Sequence, residues 1–127
     1  ALNRPCSASS VESGGLGPQL ACDGQMSTRW ASAPGPGMAW LSVQLEAPAT
    51  LSRIDVHWEA ACAAEYKLEG SADGGTWFDL AGTVNGNAGL VSTTLPANPV
   101  VSYVKMVGLS RCAVAGVKYG YSIYEME

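Results

Sequence analysis

At 127 residues the chain has room for one buried core and is too short for two ordinary domains, so residues 1–127 read as a single unit. Its formal net charge is -4, and its seven Lys and Arg stand singly at 4, 29, 53, 67, 105, 111 and 118, which gives no basic stripe and argues against nucleic acid as a partner. No apolar run approaches the roughly 18 residues of a membrane span, and no charged segment with a following apolar one opens the chain, which reads as a mature protein or a module cut from a larger one.

In chain order, glycine and proline punctuate the sequence at "GGLGP", "APGPG", "ADGG", "NGNAG" and "PANP", with short stretches between them, the rhythm of an all-β sandwich or barrel. In "WLSVQL", Leu41, Val43 and Leu45 share one face. In "RIDVHW", Ile54, Val56 and Trp58 oppose Arg53, Asp55 and His57, so each stretch predicts a strand with one buried face. "EAACAAEYKLEG" favours helix locally through its Ala and Glu, but its β-branched flanks and Gly70 predict a loop running into a strand. "EYKLEGS" and "SYVKMVG" repeat the period-2 pattern, and no window carries a capped 3.6-residue period, an internal repeat or a linker.

Four cysteines at 6, 22, 62 and 112 include no C-x-x-C pair and have a single histidine, His57, to join them, which argues against zinc. An even count at wide spacing suits two disulfides, in one of three pairings, and export from the cell.

The motifs "ALNRPCSASSVE", "ACDGQMSTRWAS", "WLSVQL", "LSRIDVHWEAACAAEYKLEGSADGGTWFDL", "SYVKMVG" and "YGYSIYEME", in this order, resemble the discoidin or coagulation factor 5/8 type C domain. The likeness is to its microbial branch, the family 32 carbohydrate-binding modules, and "WEAA" with "YGYS" is most similar to the chitosan-binding members. It covers essentially the whole chain. It implies a jelly-roll β-sandwich whose loops at one end carry a glycan, in a secreted, bacterial, monomeric module attached to a glycoside hydrolase or polysaccharide lyase. It also implies the pairings Cys6–Cys22 and Cys62–Cys112.

The resemblance assigns the turn at Asp23 to a structural calcium ion held by Asp23, Thr28 and Glu125, with Leu20 and Gln25 as carbonyl donors. Calcium takes roughly six to eight oxygen ligands, which such a turn can supply. Without an ion, Asp23 would close an Asx-turn for which Gly24 supplies the backbone freedom.

Glu12, Glu59, Tyr119 and Tyr121 fall in the segments that the likeness gives to the ligand, with Arg29 beside them as a hydroxyl donor or an anchor for a glutamate. Tyrosine offers a ring for sugar C–H faces and a hydroxyl for polar contacts, and carboxylates beside it would suit a protonated amino sugar. Chitosan is thus the first candidate, with a neutral β-glucan or galactoside behind it. Packing in the core is the competing role for Tyr121. Trp30, Trp40 and Trp58 are expected in the core, and His57 on an exposed strand face.

Two departures from the chitosan-binding pattern stand out. Pro34 occupies a place where an aromatic or acidic contact is expected, and "RCAVAGVKYGYS" is longer than its counterpart and apolar at Val114 and Val117.

No G-x-S-x-G, H-E-x-x-H or Ser/His/Asp set is present. Glu12 and Glu59 could be drawn as a glycosidase pair, but a shallow site at the end of a small sandwich rarely buries a carboxylic acid enough to keep it protonated. The expected role is binding without catalysis. A lipid-binding or adhesive discoidin domain would instead expose apolar loop tips, for which only Met38 and Val114 are available.

Overall fold

The computed structural model describes residues 4–12, 14–33, 38–95, 99–114, 117–118 and 121–126. Tyr119, Pro34 and the side chains of Val114 and Val117 lie outside what it describes.

The chain forms β1 (Cys6–Ala8), a 3-10 turn (Pro18–Ala21), β2 (Trp30–Ala31), β3 (Ala39–Thr50), β4 (Arg53–Trp58), β5 (Ala63–Ser71), β6 (Phe78–Asn85), β7 (Gly89–Thr94), β8 (Val100–Arg111), β9 (Ala113–Val114), β10 (Val117–Lys118) and β11 (Ser122–Met126). Two antiparallel sheets stack as a sandwich, a five-stranded one in the order β1-β3-β8-β5-β6 and a four-stranded one in the order β2-β11-β4-β7. β9 and β10 form a small ribbon of their own.

Alternation sets which residues fill the space between the sheets. Leu41 and Val43 from β3, Val104 and Met106 from β8, and Tyr66 and Leu68 from β5 face Ile54, Val56 and Trp58 from β4 and Ile123 from β11, all buried. The Trp58 and Tyr66 rings meet edge to face at 5.2 Å, which ties the two sheets at the core. Trp30 and Trp58 are buried as expected.

Trp40 is not in the core. It stands out of phase with Leu41 and Val43, so period-2 geometry turns it to the outer face of the five-stranded sheet, where it is half-buried with the Lys105 ammonium 5.4 Å from its ring centroid. Trp77 lies over the same ammonium at 4.1 Å, and Glu69 is 3.7 Å from it.

The Ala-rich segment before β5 is a loop and β5 a strand, as the flanking residues indicate. β3 runs past "WLSVQL" to Thr50, and its register with β8 breaks between Gln44 and Ala49. Pro48 sits inside that irregularity, where a residue without an N–H is tolerated.

Candidate functional site

One pole of the sandwich gathers the ends of several strands: Trp58 ending β4, Ala63 opening β5, Arg111 ending β8 and Ser122 opening β11. Backbone hydrogen bonds build a row across it. The Glu12 N–H donates to the Ala31 carbonyl at 2.8 Å, Ala31 pairs with Ser122, and the Glu59 N–H donates to the Ser122 carbonyl at 3.0 Å. Glu12 and Glu59 are therefore the two ends of one row, their backbones separated by three strand spacings, about 14 Å.

Glu12 is exposed and Glu59 half-buried. The Ala61 N–H donates to Glu59 Oε2 at 2.9 Å, which fixes that carboxylate against its own turn and leaves Oε1 for a ligand. The turn is itself pinned, because the Ser122 N–H donates to the Ala61 carbonyl at 2.8 Å and the Cys62–Cys112 disulfide joins it to the end of β8. Arg29 reaches the same row, its Nη1 donating to Ser122 Oγ at 2.9 Å.

Tyr121 does not offer its ring at this surface. It is fully buried, its N–H donates to Ser32 Oγ at 2.8 Å, and its carbonyl accepts from the Ser32 N–H at 2.8 Å. The ring packs so closely under Gly108 that a Cβ there would overlap it. Of the two expected roles, the structure gives Tyr121 core packing, because its ring lies under Gly108 with none of its surface open to solvent.

Arg111 is a residue of this pole that sequence reading passed over. Its guanidinium carbon lies 4.7 Å from the Tyr121 ring centroid, a cation–π contact beside the disulfide. The only signal for it in the sequence is adjacency to Cys112. With Arg29, it puts two cations at the pole that holds Glu12 and Glu59.

The second cluster surrounds Asp23. The Gln25 N–H donates to Asp23 Oδ1 at 2.9 Å, the Thr28 hydroxyl donates to Asp23 Oδ2 at 2.6 Å, and the Gly24 N–H donates to Glu125 Oε1 at 3.1 Å. The Leu20 and Gln25 carbonyl oxygens lie 3.4 and 3.3 Å from Thr28 Oγ1. A hydroxyl has one proton, so these three acceptors are not all its partners; they are oxygens converging on one point. Gly24 takes a φ of 76°, the left-handed turn that aims its N–H at Glu125.

The Thr28 hydroxyl, with further help from the Gln25 N–H, its own N–H and the Glu125 carboxyl, holds the Asp23 carboxyl below the usual 3.8 against the opposing effect of burial. Glu125 is only 2% exposed, so two carboxyl groups meet here with one of them out of water. Among the described residues no three His, Cys, Asp or Glu side chains gather at one point. The cluster is instead two carboxylates, a hydroxyl and two carbonyls, an all-oxygen set of the kind that a hard cation takes. The Cys6–Cys22 disulfide anchors the start of this loop to β1.

Elsewhere, an apolar cavity of about 120 Å³ opens at the opposite pole among Val43, Leu45, Leu51, Ile54 and Met126. Its one charged lining residue is Arg53, whose Nε lies 3.1 Å from Asp55 Oδ1, so among its lining side chains the cavity has donors on one arginine and no acceptor for a sugar hydroxyl. His57 lies half-exposed on β4, in register with Glu125 and Leu90.

The F5/8 type C domain model matches residues 5–125. No curated protein matches the chain. Among solved structures, chitosan-binding module 1 of the chitosanase/glucanase from Paenibacillus sp. IK-5 is 37% identical with a TM-score of 0.90, over 100% of this chain and 95% of that one. Chitosan-binding module 2 of the same enzyme, solved with chitotriose, is 31% identical with a TM-score of 0.90, over 100% and 96%. The family 32 module of NanJ from C. perfringens, solved with galactose, shares the fold at 20% identity and a TM-score of 0.82, over 98% and 91%.

Proposed function

The chain belongs to the F5/8 type C domain family, and on that premise we propose that it is a non-catalytic carbohydrate-binding module that takes an amino-sugar polymer, chitosan first, at the pole holding Glu12 and Glu59. The observation that carries this reading is the backbone row that sets two carboxylates at the two sides of one surface, with one of them oriented by the Ala61 N–H. A carboxylate bonded to a ligand ammonium makes a charge-assisted hydrogen bond, about twice as strong as a neutral one. The full-length likeness to two chitosan-binding modules supports the same ligand class.

One observation favours a second reading. Arg29 and Arg111 stand with the two glutamates at this pole, and cationic and anionic donors and acceptors together also suit the hydroxyls of a neutral β-glucan or galactoside. Calorimetric titration with glucosamine, N-acetylglucosamine and β-glucan oligomers of equal length separates the two. The amino-sugar reading expects the free-amine oligomer to bind most tightly and to weaken as salt rises. Equal affinity for all three, insensitive to salt, would favour the neutral reading. No reducing sugar should be released from any of them.

We further propose that the Asp23 cluster holds a structural calcium ion, with Asp23, Glu125, Thr28 and the Leu20 and Gln25 carbonyls as its protein ligands. The ion would supply positive charge that neutralises the paired carboxyl groups and ties the loop after β1 to β11. The module would act as part of a larger exported enzyme on polysaccharide; its two disulfides suit an oxidising compartment. No helix among the described residues is long and apolar enough to cross a membrane.

A further inference from the structure

β5 and β8 hold one register from Ser71 opposite Tyr103 to Tyr66 opposite Gly108. Toward the ligand pole that register slips by one residue, where Glu65 stands opposite Ser110, and it is restored at Ala63 opposite Arg111. Cys62 and Cys112 follow next, joined by their disulfide and by a 3.0 Å hydrogen bond from the Cys112 N–H to the Cys62 carbonyl. The bridge therefore closes the ladder immediately beyond its irregular step, where strand pairing alone specifies register least.

The other side of this turn is held by β11 and does not depend on the bridge. The Glu59 N–H donates to the Ser122 carbonyl and the Ala61 carbonyl accepts from the Ser122 N–H, which keeps Glu59 in the row shared with Glu12. Arg111, in contrast, is placed relative to Glu59 through the end of β8. A lasting slip of one residue would carry it about 3.3 Å along the strand and turn its side chain to the other face of the sheet.

We infer that the Cys62–Cys112 disulfide is a positioning element of the ligand pole, holding the end of β8 in the register that sets Arg111 beside the Tyr121 ring and at a fixed place relative to the Glu59 turn. The inference rests on this pole being the glycan site, as proposed above. A guanidinium donates and cannot accept, so the group it selects is a ligand oxygen, a hydroxyl or an acetamide carbonyl, and not an ammonium. The bridge then sets how well neutral sugars are taken, while Glu12 and Glu59 serve the amino sugar.

The test is Cys62→Ala/Cys112→Ala, with Cys6→Ala/Cys22→Ala as a control that loses the other bridge. Either loss also lowers stability, but partial unfolding weakens the apparent affinity for every ligand by the same factor and leaves the ratio between ligands unchanged. The expected result is a folded variant whose affinity for N-acetylglucosamine and β-glucan oligomers falls about tenfold relative to that for the glucosamine oligomer, the worth of one hydrogen bond from a charged donor. The control should keep the original ratio. NMR reads the register without any ligand: cross-strand contacts between Ala63 and Arg111 should give way to contacts one residue out of step, with those between Tyr66 and Gly108 unchanged. Native Ala63–Arg111 contacts in the variant overturn the inference, as does an unchanged ratio or a variant that does not fold. If the unmodified chain binds none of the three oligomers, it is the reading of the pole that fails, and the NMR contacts still decide whether the bridge places Arg111.

Discussion

The oxygen cluster at Asp23 and the pole at Glu59 both lean on β11, Glu125 serving one and Ser122 the other, about 10 Å apart along the strand. They are built on different plans. The cluster uses up its carboxyl oxygens within itself: Glu125, 2% exposed, accepts from the Gly24 N–H, and half-buried Asp23 is engaged on both oxygens by the Gln25 N–H and the Thr28 hydroxyl. The pole turns its carboxylates outward and secures them through backbone bonds behind them, so that one side of each stays free. Groups that satisfy one another stabilise a fold, whereas groups left partly open to water can bind. Arg29 adjoins both, following Thr28 in the chain and bonding Ser122 across the sheet.

The sharpest way to break the comparison is to remove the ion. A ligand at 100 times its dissociation constant stabilises the native state by about 2.7 kcal/mol, so excess chelator should lower the melting temperature by several degrees. Elemental analysis should find calcium in the untreated protein. An unchanged melt and no metal would leave the cluster as an Asx-turn alone. Glu125→Gln comes next, expected to cost about 2 kcal/mol because it disturbs a buried carboxyl that accepts from the Gly24 N–H and meets Asp23; denaturant melts measure it. Glycan affinity should change little in that variant once it is folded.

Acid provides a third handle. The Asp23 carboxyl is held below its usual 3.8, so the stability it contributes is present above that value and is lost as pH falls through the lower folded value. Melting temperature should drop below about pH 4, and Thr28→Val, which removes the largest cause of the shift, should move that loss to higher pH. A melt with the same acid limb in Thr28→Val would count against the assignment.

These regions also differ in how far the sequence discloses them. The Asp23 loop packs an aspartate, a left-handed glycine and a threonine into six residues, and local turn chemistry follows from such spacing; only Glu125 comes from afar, by way of the family resemblance. The pole draws on Glu12, Arg29, Glu59 and Arg111, from four separate segments. Which of two neighbouring residues faces outward there depends on strand register that no local pattern reports. Tyr121 shows the difficulty, since the pairing of Ala31 with Ser122 leaves the serine beneath Arg29 and sends the ring under Gly108. Trp40 shows a related one: its alternation with Leu41 points it to the outer face, whereas the family resemblance placed it in the core. The strands of the core were legible because period 2 and glycine punctuation agree there.

The smallest expected effect concerns that buried ring. Tyr121→Phe removes a hydroxyl that is buried without a hydrogen-bond partner among the described residues, so stability should be unchanged or slightly improved and glycan affinity unaltered. A large loss of affinity in this variant would mean that Tyr121 reaches the ligand after all.

The most direct test of the central claim is calorimetric titration of a glucosamine oligomer into the unmodified chain and into Glu12→Gln/Glu59→Gln, which keeps shape and removes both charges. The account expects the variant to melt normally and to bind at least about tenfold more weakly, given on the order of 1 kcal/mol for each charge-assisted bond lost. Equal affinity in a normally folded variant would contradict it.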